Sequence, residues 1–183
     1  KISFYKGRFC GLYFYLLQFS HFDLKDNSIP FLKSHIKMST TEQIEQYLSS
    51  LSSPKARDMR SLHALFMEEI NEASLSFHDG KNEFGKVIAN PTIGYGQCDL
   101  HSKNGKHQSS FRIGLSANTT GISIYVLGLS DKTTLQEKFG PRLGKAKITG
   151  YCIRFKQMMD IEKSVLSEVL SFAITSSIHS SKK

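Results

Sequence analysis

The sequence has no tryptophan, four prolines and only three cysteines in 183 residues. The cysteines, Cys10, Cys98 and Cys152, are odd in number and far apart, which argues against a disulfide framework and for reduced thiols inside the cell. They form no C-x-x-C pair, so the spacing typical of a zinc site is missing. The longest apolar stretch, residues 9–17, is far shorter than the ~20 residues that cross a bilayer. The sequence therefore predicts a cytoplasmic protein without a membrane partner.

Acidic residues are also scarce, since 24 Lys and Arg stand against 16 Asp and Glu, for a net charge of +8. Half of this excess lies in residues 1–37, which contain six basic and two acidic residues, against eighteen and fourteen in the rest. A stretch of 19 residues, 138–156, carries six cations and no acid. The excess charge is therefore local, and it does not by itself predict nucleic-acid binding.

Residues 1–37 hold nine of the twenty aromatic residues and show no clear periodicity. They are interpreted as a targeting peptide, as a folded extension, or as translation upstream of a natural start at Met38. The third interpretation is favoured because a helix-start signal follows Met38 at once. Ser39 with Glu42, or Thr40 with Gln43, has the spacing of a capping box. The predicted organisation is an extension over 1–37, a domain over 38–175 and a polar tail over 176–183.

Hydrophobic periodicity and turn residues predict the secondary structure of the domain. The predicted helices cover residues 41–50, 54–73 and 132–139, followed by a last helix capped by Asp160. The predicted strands cover 93–101, 108–117, 122–127 and 151–155, with a short additional strand at 87–88. An Asn104-Gly105 pair predicts a hairpin between the first two long strands. This order predicts a single α+β domain with an antiparallel sheet of four to five strands and helices on one face.

Several short motifs resemble the YdhG-like family, also called domain of unknown function 1801. The similarity spans residues 42–172 and rests on Ile93-Gly94-Tyr95-Gly96, Gly114-Leu115-Ser116, Ile122-Ser123-Ile124-Tyr125-Val126, residues 135–139, residues 144–155 and Asp160-Ile161. The resemblance implies a small intracellular α+β domain without an accepted catalytic set. It also implies iron as a ligand, because some members of the family are described as frataxin-like iron chaperones. The chain departs from the family pattern in lacking tryptophan and in an added Gly140-Pro141-Arg142 stretch.

Iron would require oxygen ligands, and one acidic group fits this need. Glu68 and Glu72 lie one turn apart on one face of the second predicted helix. The alternative is that both belong to the solvent-facing side of an amphipathic helix. A weaker metal candidate comprises Cys98, Asp99, His101 and His107 around the hairpin, although alternation places 98 and 101 on opposite faces of a strand.

The basic stretch 138–156 predicts an anion site. Its proposed core is Lys145, Lys147 and Thr149, with Tyr151 and Tyr95 nearby, and its glycines would let backbone N–H groups approach the ligand. The alternative is a solvated basic loop. Nucleic acid is disfavoured because the aromatic residues of the domain lie on strands and have the spacing of a core.

Catalytic motifs are missing from the sequence, which has no G-x-S-x-G elbow and no H-E-x-x-H helix. His63 has no evident partner and is predicted to pack at the edge of the core, while Cys152 is predicted to be a small buried strand residue. The sequence thus predicts a non-catalytic binding module for a small anionic ligand or for iron.

Overall fold

A computed structural model describes residues 38–70, 74–101 and 107–176, with the backbone alone at 101, 107 and 108. The described residues all belong to one compact unit that begins at Met38. The predicted extension over 1–37, Glu72 of the predicted iron pair, the Asn-Gly turn and most of the polar tail lie outside the described residues, as do the side chains of His101 and His107.

Four helices form where apolar residues recur at helical spacing. They are α1 (Thr40–Ser50), α2 (Ser53–Glu69), α3 (Thr134–Phe139) and α4 (Lys163–Thr175). Helix α1 begins at the predicted capping box, in which Ser39 and Glu42 satisfy each other's backbone N–H groups. Helix α2 carries Pro54 in its first turn, where the missing N–H has no partner to lose. The predicted cap of α4 is wrong, because Asp160 ends a 3-10 turn, Met158–Asp160, and Glu162 precedes the helix.

Six antiparallel strands form a single sheet, in the order β1-β2-β3-β4-β6-β5. They are β1 (Leu75–His78), β2 (Thr92–His101), β3 (His107–Asn118), β4 (Gly121–Val126), β5 (Lys147–Thr149) and β6 (Cys152–Phe155). The α+β class is confirmed, but the sheet is larger than predicted. The predicted strand at 87–88 is wrong, since Val87 makes only an isolated bridge to Lys81.

The core lies between one face of the sheet and the helices. The buried strand residues alternate along β2, β3 and β4, as in Ile93 with Tyr95 and Ile113 with Leu115. Helix α2 contributes Phe66, whose ring centroid lies 5.1 Å from that of Tyr95. This packing leaves the charged residues of β5 and β6 at the far edge of the sheet, on its exposed side.

A two-residue turn at Gly150 and Tyr151 joins β5 to β6, because Thr149 pairs directly with Cys152. Gly150 has φ +56°, a conformation that glycine adopts without strain. Within the described ranges, none of the helices combines the length and the apolar character needed to cross a membrane.

Candidate functional site

The six cations of the stretch 138–156 fall into two groups, and the smaller group has structural partners. Arg142 makes two hydrogen bonds to the carboxylate of Glu168 on α4, at 3.0 and 2.7 Å. Lys138 places its Nζ atom 4.2 Å from the ring centroid of Phe172. Both residues therefore connect the segment around α3 to α4.

The other four cations, Lys145, Lys147, Arg154 and Lys156, line one open groove of about 590 Å³. We call this feature the cationic groove. All four side chains are exposed, and none forms an ion pair with a described acidic residue. A groove of this volume has the size of small-molecule sites, which run from ~300 to 1,000 Å³.

The register of β5 and β6 brings two of the four cations together. Lys147 lies directly opposite Arg154, and side chains in such positions have Cβ atoms ~5 Å apart. Lys145 and Lys156 lie just beyond the ends of β5 and β6 and line the same groove. Like charges directly opposite each other destabilise a sheet. Mutual repulsion between Lys147 and Arg154 is therefore expected.

The turn between β3 and β4 forms the opposite wall of the groove. The Asn118 side chain organises this turn, because its Oδ1 accepts hydrogen bonds from the backbone N–H groups of Thr120 and Gly121, each at 2.9 Å. Lys55 donates from α2 to the carbonyl oxygens of Asn118 and Thr119. Gly121 has no room for a side chain, since a Cβ atom would lie 2.2 Å from the Phe155 carbonyl oxygen. The wall is thus fixed to both α2 and β6.

One carboxylate, Asp160, lies among the lining residues. Its carbonyl oxygen accepts the N–H of Lys145 at 2.7 Å, which ties the start of the β5 segment to the 3-10 turn. Gly144 makes this contact possible, because its φ is +97° and a Cβ atom there would lie 2.4 Å from the same oxygen. Asp160 therefore marks the Lys145 end of the groove.

Backbone N–H groups do not form the predicted anion cradle in this loop. The N–H groups of Arg142 and Leu143 donate to the Phe139 carbonyl oxygen at 3.0 and 2.9 Å, and that of Lys145 donates to Asp160. These N–H groups already have backbone acceptors within the fold. Side-chain cations, rather than backbone amides, give the groove its charge.

The structure separates the predicted anion-site residues. Lys145 and Lys147 line the cationic groove, whereas Thr149 lies exposed at the other end of β5 and Tyr151 lies half-buried in the hairpin turn. Tyr95 is fully buried in the core and does not line the groove. Arg154 and Lys156 belong to the groove instead, and their alternation along β6 with the buried Ile153 and Phe155 was a usable sequence signal.

Tyr95 is instead the partner of His63, whose Nδ1 lies 2.6 Å from the phenol oxygen. Burial raises the pKa of Tyr95 above its usual range, so the phenol keeps its proton. Burial, with a smaller contribution from the charge of Arg60, lowers the pKa of His63. The pair is neutral and structural, which agrees with the prediction that His63 packs at the edge of the core.

Two cysteines lie beside arginines. Cys152 is half-buried rather than buried, and hydrogen bonding to its side chain raises the pKa of Arg154 above the ordinary value. Cys98 donates from Sγ to the Phe111 carbonyl oxygen at 3.2 Å, and burial raises the pKa of its thiol despite the neighbouring Arg112. Arg112 is itself buried and donates from Nε to the Ala173 carbonyl oxygen at 2.6 Å, near the end of α4. Its position there is favourable for the helix dipole.

The predicted iron site receives no support from the described residues. Glu68 is exposed on α2, and Glu72 lies outside the described residues. Nowhere in 38–70, 74–101 and 107–176 do three or more His, Cys, Asp or Glu side chains converge as metal ligands would.

Comparison with known proteins returned no matching family model, no matching curated protein and no matching solved structure.

Proposed function

We propose that this domain is a non-catalytic binding module, and that its ligand is a small phosphate-bearing anion held in the cationic groove. The proposal is based on the positions and contacts of the six cations of residues 138–156. Two of them have partners within the fold, and the four without an acidic partner converge on one concavity. A solvated basic loop would not be expected to sort its charges in this way.

The energetics of the groove support an anionic ligand. Lys147 and Arg154 face each other across the sheet at a position where like charges repel. An anion between them replaces this repulsion with two charge-assisted hydrogen bonds, which are stronger than neutral ones. Arg154 also offers a planar guanidinium that matches the oxygens of a phosphate group.

Iron and nucleic acid are less well supported as ligands. A groove lined by four cations repels Fe²⁺, and the family resemblance that suggested iron stays a prediction. Proteins that bind single-stranded nucleic acid combine a basic groove with exposed aromatic rings that stack on bases, whereas the one aromatic residue lining the groove, Phe155, is only 5 % exposed. A small anion needs no stacking surface.

Thermal unfolding in inorganic phosphate tests the proposal. A ligand that binds only the folded state at ten times its Kd stabilises it by about 1.4 kcal/mol, which corresponds to a rise in Tm of ~3–6 °C for a domain of this size. We expect this rise for the wild type against sodium chloride of equal ionic strength. Lys147→Gln and Arg154→Gln should each abolish most of it.

The matched control is Lys86→Gln, which removes an exposed lysine from the β1–β2 loop. This variant should retain the full shift in phosphate. If all three variants respond to phosphate as the wild type does, the anion acts on the solvent or on the whole surface, and the proposed site is wrong.

A further inference from the structure

The charge balance of the cationic groove distinguishes between anions of different size. Its four cations contribute four positive charges, and Asp160 removes one of them. A single phosphate group carries a charge of about −1.5 to −2 at neutral pH, so it leaves the groove positive. Two linked phosphate groups carry about twice that charge and neutralise it.

The arrangement of the cations agrees with this balance. Lys147 and Arg154 form a pair across β5 and β6. Lys145 and Lys156 lie beyond the ends of these strands but line the same groove. One phosphate group would lie between Lys147 and Arg154, and a second, linked group would reach the remaining two cations.

Asp160 limits the number of linked phosphate groups that the groove can accommodate. Its carbonyl oxygen is bonded to the N–H of Lys145, which places the residue at one end of the array of cations. A third phosphate group extending past Lys145 would approach this carboxylate and be repelled by it. Binding should therefore increase from one phosphate group to two, and not from two to three.

The geometry points to a ligand class of small molecules that carry two linked or adjacent phosphate groups, such as a nucleoside diphosphate. This inference rests on the proposed function, because it names the ligand of the same groove. It differs from general attraction between a basic surface and a polyanion, in which affinity increases with every added charge.

The test compares three probes by isothermal titration calorimetry on the full chain, at constant ionic strength and without divalent metal. The probes are inorganic phosphate, pyrophosphate and tripolyphosphate. We expect pyrophosphate to bind at least about tenfold more tightly than phosphate, since a second set of charge-assisted hydrogen bonds is formed. Tripolyphosphate should bind within about threefold of pyrophosphate, since no further cation remains for it.

Two variants test which residues cause the preference for two phosphate groups. Lys145→Gln should reduce the preference for pyrophosphate over phosphate, because it removes a cation outside the Lys147–Arg154 pair and leaves that pair intact. Asp160→Asn should allow tripolyphosphate to bind more tightly than pyrophosphate. Circular dichroism of both variants establishes that they are folded, and Lys86→Gln serves again as the control lysine.

The outcomes separate this inference from the proposed function. Equal affinities for phosphate and pyrophosphate, both lost in Lys147→Gln, would overturn the two-phosphate inference and leave the anion site standing. A steady increase from one to three phosphate groups, or tighter binding of an oligothymidylate than of pyrophosphate, would overturn it in favour of general polyanion binding. No binding of any probe would overturn both.

Discussion

At the scale of single residues, Gly144 positions the cationic groove. It has φ +97°, and a Cβ atom at this position would lie 2.4 Å from the Asp160 carbonyl oxygen, which accepts the N–H of Lys145. Gly144→Ala should therefore add a steric clash to backbone strain and lower the free energy of unfolding by about 2–4 kcal/mol. Urea unfolding followed by circular dichroism measures this loss, since the chain has no tryptophan to report by fluorescence.

Gly85 is the matched control for this substitution. Its φ is +74°, but a Cβ atom there would meet nothing within 4 Å. Gly85→Ala should cost about 1–2 kcal/mol, the strain of a left-handed residue alone. Equal costs at the two glycines would contradict the role given to the contact between Gly144 and Asp160.

Residue patterns predict two of the four cations of the cationic groove. Lys145 and Lys147 were evident from a stretch of cations without acids, but the partnership of Lys147 with Arg154 depends on the register of β5 and β6. That register comes from the two-residue turn at Gly150 and Tyr151, whereas the sequence pattern predicts a strand that begins at Tyr151. Tyr95 was misassigned although it alternates with Ile93, and this alternation places both on the buried face.

At the scale of elements, the start of α1 offers a clean comparison. The sequence allowed two capping boxes, and the structure contains the one formed by Ser39 and Glu42. Ser39→Ala should lower the free energy of unfolding by about 1 kcal/mol, because the N–H group of Glu42 loses its acceptor. Thr40→Ala changes the first helical residue instead and should be close to neutral, within about 0.5 kcal/mol. Urea unfolding of both variants distinguishes the two boxes, and a larger loss for Thr40→Ala would contradict the assignment.

Most of the elements that the sequence predicts correctly have long periodic patterns, although the short elements α3 and β6 are predicted as well. Several residues are buried in each of the elements α1, α2, α4, β2, β3 and β4. The spacing of apolar residues in the sequence therefore predicts these elements. The missed strands, β1 and β5, have four and three residues and lie at the two edges of the sheet. Conversely, Val87 and Ile88 have high strand propensity but are 66 % and 67 % exposed in a loop. Whether such a short segment forms a strand depends on pairing with an adjacent strand. A single sequence does not contain that information.

At the scale of the whole molecule, the structure divides the basic stretch that contributes to the net charge of +8 into two parts with different roles. Part of the basic stretch stabilises the fold through Glu168 and Phe172, and the other part repels itself in the cationic groove. The two parts should therefore respond to substitution with opposite signs. This contrast tests the electrostatic repulsion within the groove without any ligand.

In low salt and without phosphate, Lys147→Gln should raise the Tm, because it removes a cation that faces Arg154. Arg142→Gln should lower the Tm slightly, because it breaks an exposed ion pair with Glu168. Both effects should shrink as sodium chloride is raised towards ~0.5 M, where the Debye length falls well below ~10 Å. Thermal unfolding followed by circular dichroism at several salt concentrations measures them. If Lys147→Gln lowered the Tm in low salt or left it unchanged, the cations of the groove would not be in mutual repulsion, and the electrostatic argument for an anionic ligand would lose its basis.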